Sequence, residues 1–187
     1  MGAISESVQR LKISKLGRRG WERNVNLIDQ LWAQIEQAIA NLNLPYERVR
    51  VYQDGLPHCA QELAIVAELA QAGSRNHRLL LQFKERGATI MGSESAELLV
   101  EEYQLATRAF SCGDLKELAR TEALQKAVLD SLLERRDRYI AARINSTLVK
   151  GETGVLFLGV LHCVTNLLDK DIRAIYPIDR PLNLRRR

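Results

Sequence analysis

Val155-Leu156-Phe157-Leu158-Gly159-Val160-Leu161-His162 is a short apolar run that reaches glycine, with histidine three residues further on. Its length and its Val and Phe content predict a buried strand, and the glycine predicts a turn at the strand's carboxyl end. Val49-Arg50-Val51-Tyr52-Gln53-Asp54-Gly55-Leu56-Pro57-His58 does almost the same thing earlier in the chain. Two strands that each deliver a G-x-x-H turn predict one site built from distant segments. In an open α/β sheet, ligands bind beyond the carboxyl ends of the strands. Both histidines stand there.

The rest of the chain fits around these two strands. Val- and Tyr-rich or short apolar segments predict strands over 47–53, 88–91, 154–159 and 172–176. Apolar residues at helical spacing predict helices over 22–42, 59–72 and 96–109. Ser74 is placed to cap another helix, which Gly87 closes. Asp114 opens a long helical region to about 149, as one helix or two. Helices between strands imply crossovers and parallel pairing. The expected fold is therefore α/β: a small, mainly parallel sheet covered by many helices. A lead-in over 1–20 precedes a single domain over 21–180, with a long helical insertion at about 114–149 and a basic tail over 181–187. Trp32, Ile35, Leu63, Val66, Leu132, Ile140 and Ile144 lie on apolar helix faces and are expected in the core.

Composition narrows the function classes. At 187 residues the chain can bury a real core. No run of about 18 apolar residues is present, so no membrane span is expected. The first residues lack an apolar signal-peptide core. Glu6 stands where a myristoylation motif needs Ser or Thr. A net charge of +4, with basic clusters at Arg18-Arg19 and Arg185-Arg186-Arg187, is too mild to imply nucleic acid as a partner. Three scattered cysteines, Cys59, Cys112 and Cys163, argue against a disulfide framework and for a reducing compartment, the cytoplasm. Cys59 and Cys163 each follow a site histidine. Their default role is that of a small buried residue, the alternative a third ligand or a reactive thiol.

The polar residues just after the predicted strands are Asp54 and His58, Glu94, and His162. Imidazole with carboxylate suits a borderline divalent metal. The same groups could instead activate water by general acid–base chemistry. Gly55 and Gly159 let the chain turn sharply and let a substrate approach the backbone. His77 lacks this context and reads as surface. In Glu134-Arg135-Arg136-Asp137-Arg138, the following Ile140, Ala141 and Ile144 show that the helix is packed. Some of these charges should therefore lie against protein. Arg136 and Arg143 are candidates to pair with a carboxylate or to bind an anionic substrate group.

Taken together, Arg136-Asp137, Ile140-Ala141, Ile144 and Gly159-Val160-Leu161-His162 resemble the C-terminal half of the TraB/Tiki-type proteins. Gly55-Leu56-Pro57-His58 resembles the first G-x-x-H of that group, with Glu94 at the place of a strand-end glutamate. The wider superfamily includes erythromycin esterases and ChaN-type haem-binding lipoproteins. The chain departs from the usual pattern in having Arg135, not an acid, just before the Arg-Asp pair. The resemblance implies a small α/β fold with its site above the sheet and, for Tiki-type members, divalent-metal-dependent peptide cleavage.

Two functions follow. In the first, the protein is a hydrolase of a peptide or ester bond in a peptide or small-molecule substrate. His58, His162, Glu94 and Arg136 do the chemistry, His58, His162, Asp54 and Glu94 hold a divalent metal ion, and Arg143, Gly55 and Gly159 contact substrate. In the second, the same scaffold is a non-catalytic ligand-binding or regulatory domain for haem or a protein partner. The long helices over 22–42 and 114–149 could then serve a partner or a homodimer.

Overall fold

The computed structural model describes residues 2–111 and 115–178. Two compact units divide the chain between Asn43 and Leu44. The first carries helix α1, Gly2–Asn41, in which Gly17 leaves helical geometry with φ 70°. Glycine adopts that left-handed conformation without a Cβ clash, so two helical stretches meet there. The predicted lead-in over 1–20 is thus helical over its described residues. The segment 21–43, expected inside the α/β domain, belongs with α1. The cap expected at Asp114 lies outside the described residues.

The second unit carries the sheet. Its strands are β1, Val49–Pro57, β2, Thr89–Glu94, and β3, Thr153–Phe157, in the order β2-β1-β3. Both pairings are parallel, with Val51 opposite Ile90 on one side and Val155 on the other. Helices α2, Glu62–Gln71, and α3, Arg75–Glu85, follow β1. Helices α4, Ala96–Ser111, and α5, Leu115–Thr147, follow β2. Ser74 does cap α3, accepting the His77 N–H. The α/β expectation is met: a small parallel sheet among several helices.

Alternating side chains send the sheet's two faces to different helices. On one face Tyr52 packs with Ile140 and Ile144 of α5 and with Val164, and Leu156 joins them. On the other, Phe157 meets Phe83 of α3 edge-on at 6.1 Å between ring centroids. Ile140 is fully buried in the first cluster. Ile140→Ala should therefore lower stability by about 2–5 kcal/mol. An unchanged denaturant midpoint would show that this face is misassigned.

Val66, Leu132 and Ile144 are buried as expected, and Trp32 and Ile35 are half-buried. Leu63 is not buried: it is 45% exposed. It lies in the first turn of α2, beside the exposed loop 58–61, where the helix has not yet reached its packed turns. The predicted strand over 172–176 does not form, and the sheet has three strands among the described residues. Ile172 folds onto the Tyr52 cluster, while Ile175 and Tyr176 stay exposed. β-Propensity measures fit to a pleated surface, and here no neighbouring strand supplies one.

Candidate metal centre

The carboxyl end of the sheet gathers Asp54 from β1, Glu94 from β2 and His162 from the turn after β3. One ligand atom from each lies within 4.8 Å of the others. Glu94 and His162 are buried, and Asp54 is partly exposed. The loop after β3 folds back tightly, the His162 N–H donating to the Gly159 carbonyl at 3.1 Å. The Gly159 N–H donates to Asp54 Oδ2 at 3.0 Å. A Cβ on Gly159 would sit 2.8 Å from that oxygen, so a larger residue there would have to push the Asp54 carboxylate aside. The structure thus shows Gly159 seating a carboxylate.

Asp137 completes the histidine. Its Oδ1 lies 2.5 Å from His162 Nδ1, and its Oδ2 accepts the Cys163 N–H at 2.9 Å. A neutral ring whose Nδ1 proton points to Asp137 would carry its lone pair on Nε2. Nε2 faces Asp54 Oδ2 at 3.5 Å. A carboxylate behind a ligating imidazole is the usual outer shell of a metal histidine. Tetrahedral ligands with bonds of about 2.1 Å lie roughly 3.4 Å apart, so this separation suits a shared ion. The donor set of two carboxylates and an imidazole fits a borderline divalent metal.

Arg136, on α5, holds the carboxylates from the protein side. Its Nη2 donates to Glu94 Oε1 at 2.6 Å and to Asp54 Oδ1 at 2.7 Å. Nε lies 3.2 and 3.3 Å from the two Glu94 oxygens, and Nη1 donates to Glu102 Oε1 on α4 at 2.7 Å. Burial raises the Glu94 carboxyl above its ordinary range. Asp54 adds to the rise, and Arg136 only partly opposes it. Burial pulls Arg136 down, yet Glu94, Glu102 and Asp54 together hold it above its ordinary value. Asp54, Glu94, Glu102 and Asp137 set four carboxylates against one guanidinium, so the cluster is electronegative and suited to a cation.

Several expectations are corrected here. His58 is exposed and stands outside the Asp54–Glu94–His162 group, so the two G-x-x-H turns do not contribute equivalent ligands. Its backbone N–H donates to Glu94 O at 2.9 Å. Against burial, the backbone N–H groups of Glu62, Cys59 and Ala60, and last His58, hold the Glu62 carboxyl below its ordinary value. Gly55 has φ 78°, and the register against β2 shifts between Gln53 and Pro57. Such an irregularity re-aims the residues that follow it, so the spacing from Asp54 to His58 does not put both side chains in one place. Gly55 itself is exposed, with open space around its Cβ position. Arg136 spends Nε, Nη1 and Nη2 on carboxylates and is nearly buried, so it is not poised to meet a substrate or an oxyanion. Arg143 donates Nε to the Gly92 carbonyl at 3.3 Å. It lies two helical turns from Arg136, about 10 Å along the axis. Cys59 and Cys163 are exposed rather than buried.

Sequence reasoning passed over Asp137 and Glu102 as site residues. Asp137 was legible in principle, because it lies three, four and seven residues before Ile140, Ala141 and Ile144, on the same packed stripe. Glu102 carries no comparable signal, since α4 reads as an ordinary charged helix.

Compared with protein-family models, with curated proteins and with solved structures, the chain matches none significantly. No helix among the described residues is long and apolar enough to cross a membrane.

Proposed function

We propose that the protein is a divalent-metal-dependent hydrolase of the TraB/Tiki-like type, acting on a peptide or ester bond. The observation that carries this reading is the Asp137–His162 pair aimed at Asp54 and Glu94. Asp54, Glu94 and His162 would hold the ion. Three protein ligands leave coordination room for water or substrate, as in catalytic rather than structural sites. A divalent ion there supplies Lewis acidity, polarising a carbonyl and acidifying water. Asp137 fixes the imidazole's tautomer and orientation. Arg136 holds both carboxylates in place through one nitrogen, Nη2. Exposed Cys59 and Cys163 fit a reducing compartment, and we place the protein in the cytoplasm on that ground.

One observation favours the second reading, a ligand-binding or regulatory domain. Arg136 already supplies a cation to Asp54 and Glu94. Stripping the protein with a chelator and titrating back zinc(II) or manganese(II) separates the two. Hydrolysis of p-nitrophenyl acetate and of a mixed peptide pool should vanish on stripping and return at about one ion per chain. Stripped protein that takes up no ion sinks the hydrolase reading.

A further inference from the structure

Glu102 is the outermost member of the charged cluster. Its side chain is 46% exposed, whereas those of Arg136 and Glu94 are 6% and 0% exposed. It comes from α4 and reaches the site through Arg136 Nη1. We propose that Glu102 is a positioning residue for the metal seat, acting on it through Arg136. The inference rests on the metal reading given above.

The guanidinium is a planar fork with donors fixed relative to one another. Anchoring Nη1 at Glu102 therefore fixes where Nη2 and Nε point. Nη2 takes Asp54 Oδ1 and Glu94 Oε1. That leaves Asp54 Oδ2 on the side of the Gly159 N–H and His162 Nε2. The fork thus sorts the oxygens of Asp54, one toward arginine and one toward histidine. Without Glu102, Nη1 loses its partner and the guanidinium can turn further onto Asp54 and Glu94. It then competes for the oxygens a metal ion needs.

Calorimetric titration of the chelator-stripped full chain with zinc(II) and manganese(II) tests this without any substrate. Glu102→Gln should weaken binding about tenfold, the lower end of what outer-shell partners of metal ligands cost. Glu101→Gln, which removes the neighbouring carboxylate that pairs with Arg135, should change it less than about twofold. A plain loss of negative charge would also weaken binding, so the decisive comparison is a double-mutant cycle. Lys keeps the charge of residue 136 but lacks the fork. In the Arg136→Lys background, Glu102→Gln should therefore cost less than about twofold. An equal loss in both backgrounds, or none in the wild-type background, overturns the proposal while leaving the metal reading intact. Uptake of neither ion by wild-type protein overturns both. Circular dichroism of each variant identifies any that misfolds. If Arg136→Lys does, Glu102→Asp replaces the cycle: it keeps the charge but shortens the reach to Nη1, so it should weaken binding about as much as Glu102→Gln, and wild-type affinity overturns the proposal.

Discussion

His162→Ala should weaken divalent-ion binding by more than about 100-fold, beyond what loss of an outer-shell partner costs. The alanine removes the one nitrogen ligand of the group formed with Asp54 and Glu94. It also leaves Asp137 without its imidazole, although the carboxylate keeps the Cys163 N–H. Losing that buried partner should cost about 1–3 kcal/mol, so the variant stays folded but is measurably less stable. A pocket histidine that only filled space would cost less. Titration calorimetry with a circular-dichroism melt reads both effects. Wild-type affinity in the variant would show that the imidazole is no ligand.

Arg136→Ala should be the most damaging single substitution for stability, at about 3–5 kcal/mol, the cost of removing one partner from a buried ion pair. Domains are stable by only about 5–15 kcal/mol, so much of the total would be gone. The reason lies in what remains. Glu94 is fully buried, and Asp54 adds to the pressure that raises its carboxyl. In chelator-stripped protein without this arginine, the two acids face each other with no cation. Urea unfolding should show a lower midpoint at unchanged slope. A loss under 1 kcal/mol would mean that the acids are supported by something other than Arg136.

Much of the fold could be read from residue pattern, because the pattern and the burial have the same cause. The runs at Val49, Thr89 and Val155 become strands because each presents apolar side chains to helices on both faces. Residues 172–176 have similar composition, but pairing requires a neighbouring edge, and no local pattern records one. Leu63 has the right spacing from Val66 and Ala70, yet spacing cannot show that the first turn of α2 lies beside an exposed loop. The site was legible at the carboxyl ends of the strands, where Asp54, Glu94 and the turn that carries His162 lie. It was not legible at His58, because Gly55 and the register shift break the simple alternation on which the reading rests. It was half legible at Arg136. The apolar stripe Leu132, Ile140 and Ile144 shows that this arginine is packed, but not that three carboxylates from three elements surround it.

The position of β1 in the middle of the sheet has a consequence for synthesis. Its partner on one side, β2, begins at Thr89, but its partner on the other, β3, begins only at Thr153. On a ribosome adding roughly 5–20 residues per second, the hundred or so residues between β1 and β3 take about 5–20 s to appear. β1, with Val49, Val51 and Tyr52, has two open edges until β2 is made and one from then until β3 is made, and unpaired edges recruit other chains. The nascent chain is therefore most exposed to aggregation before residue 157 emerges. His162 follows five residues later, so the candidate metal group is completed just after β3.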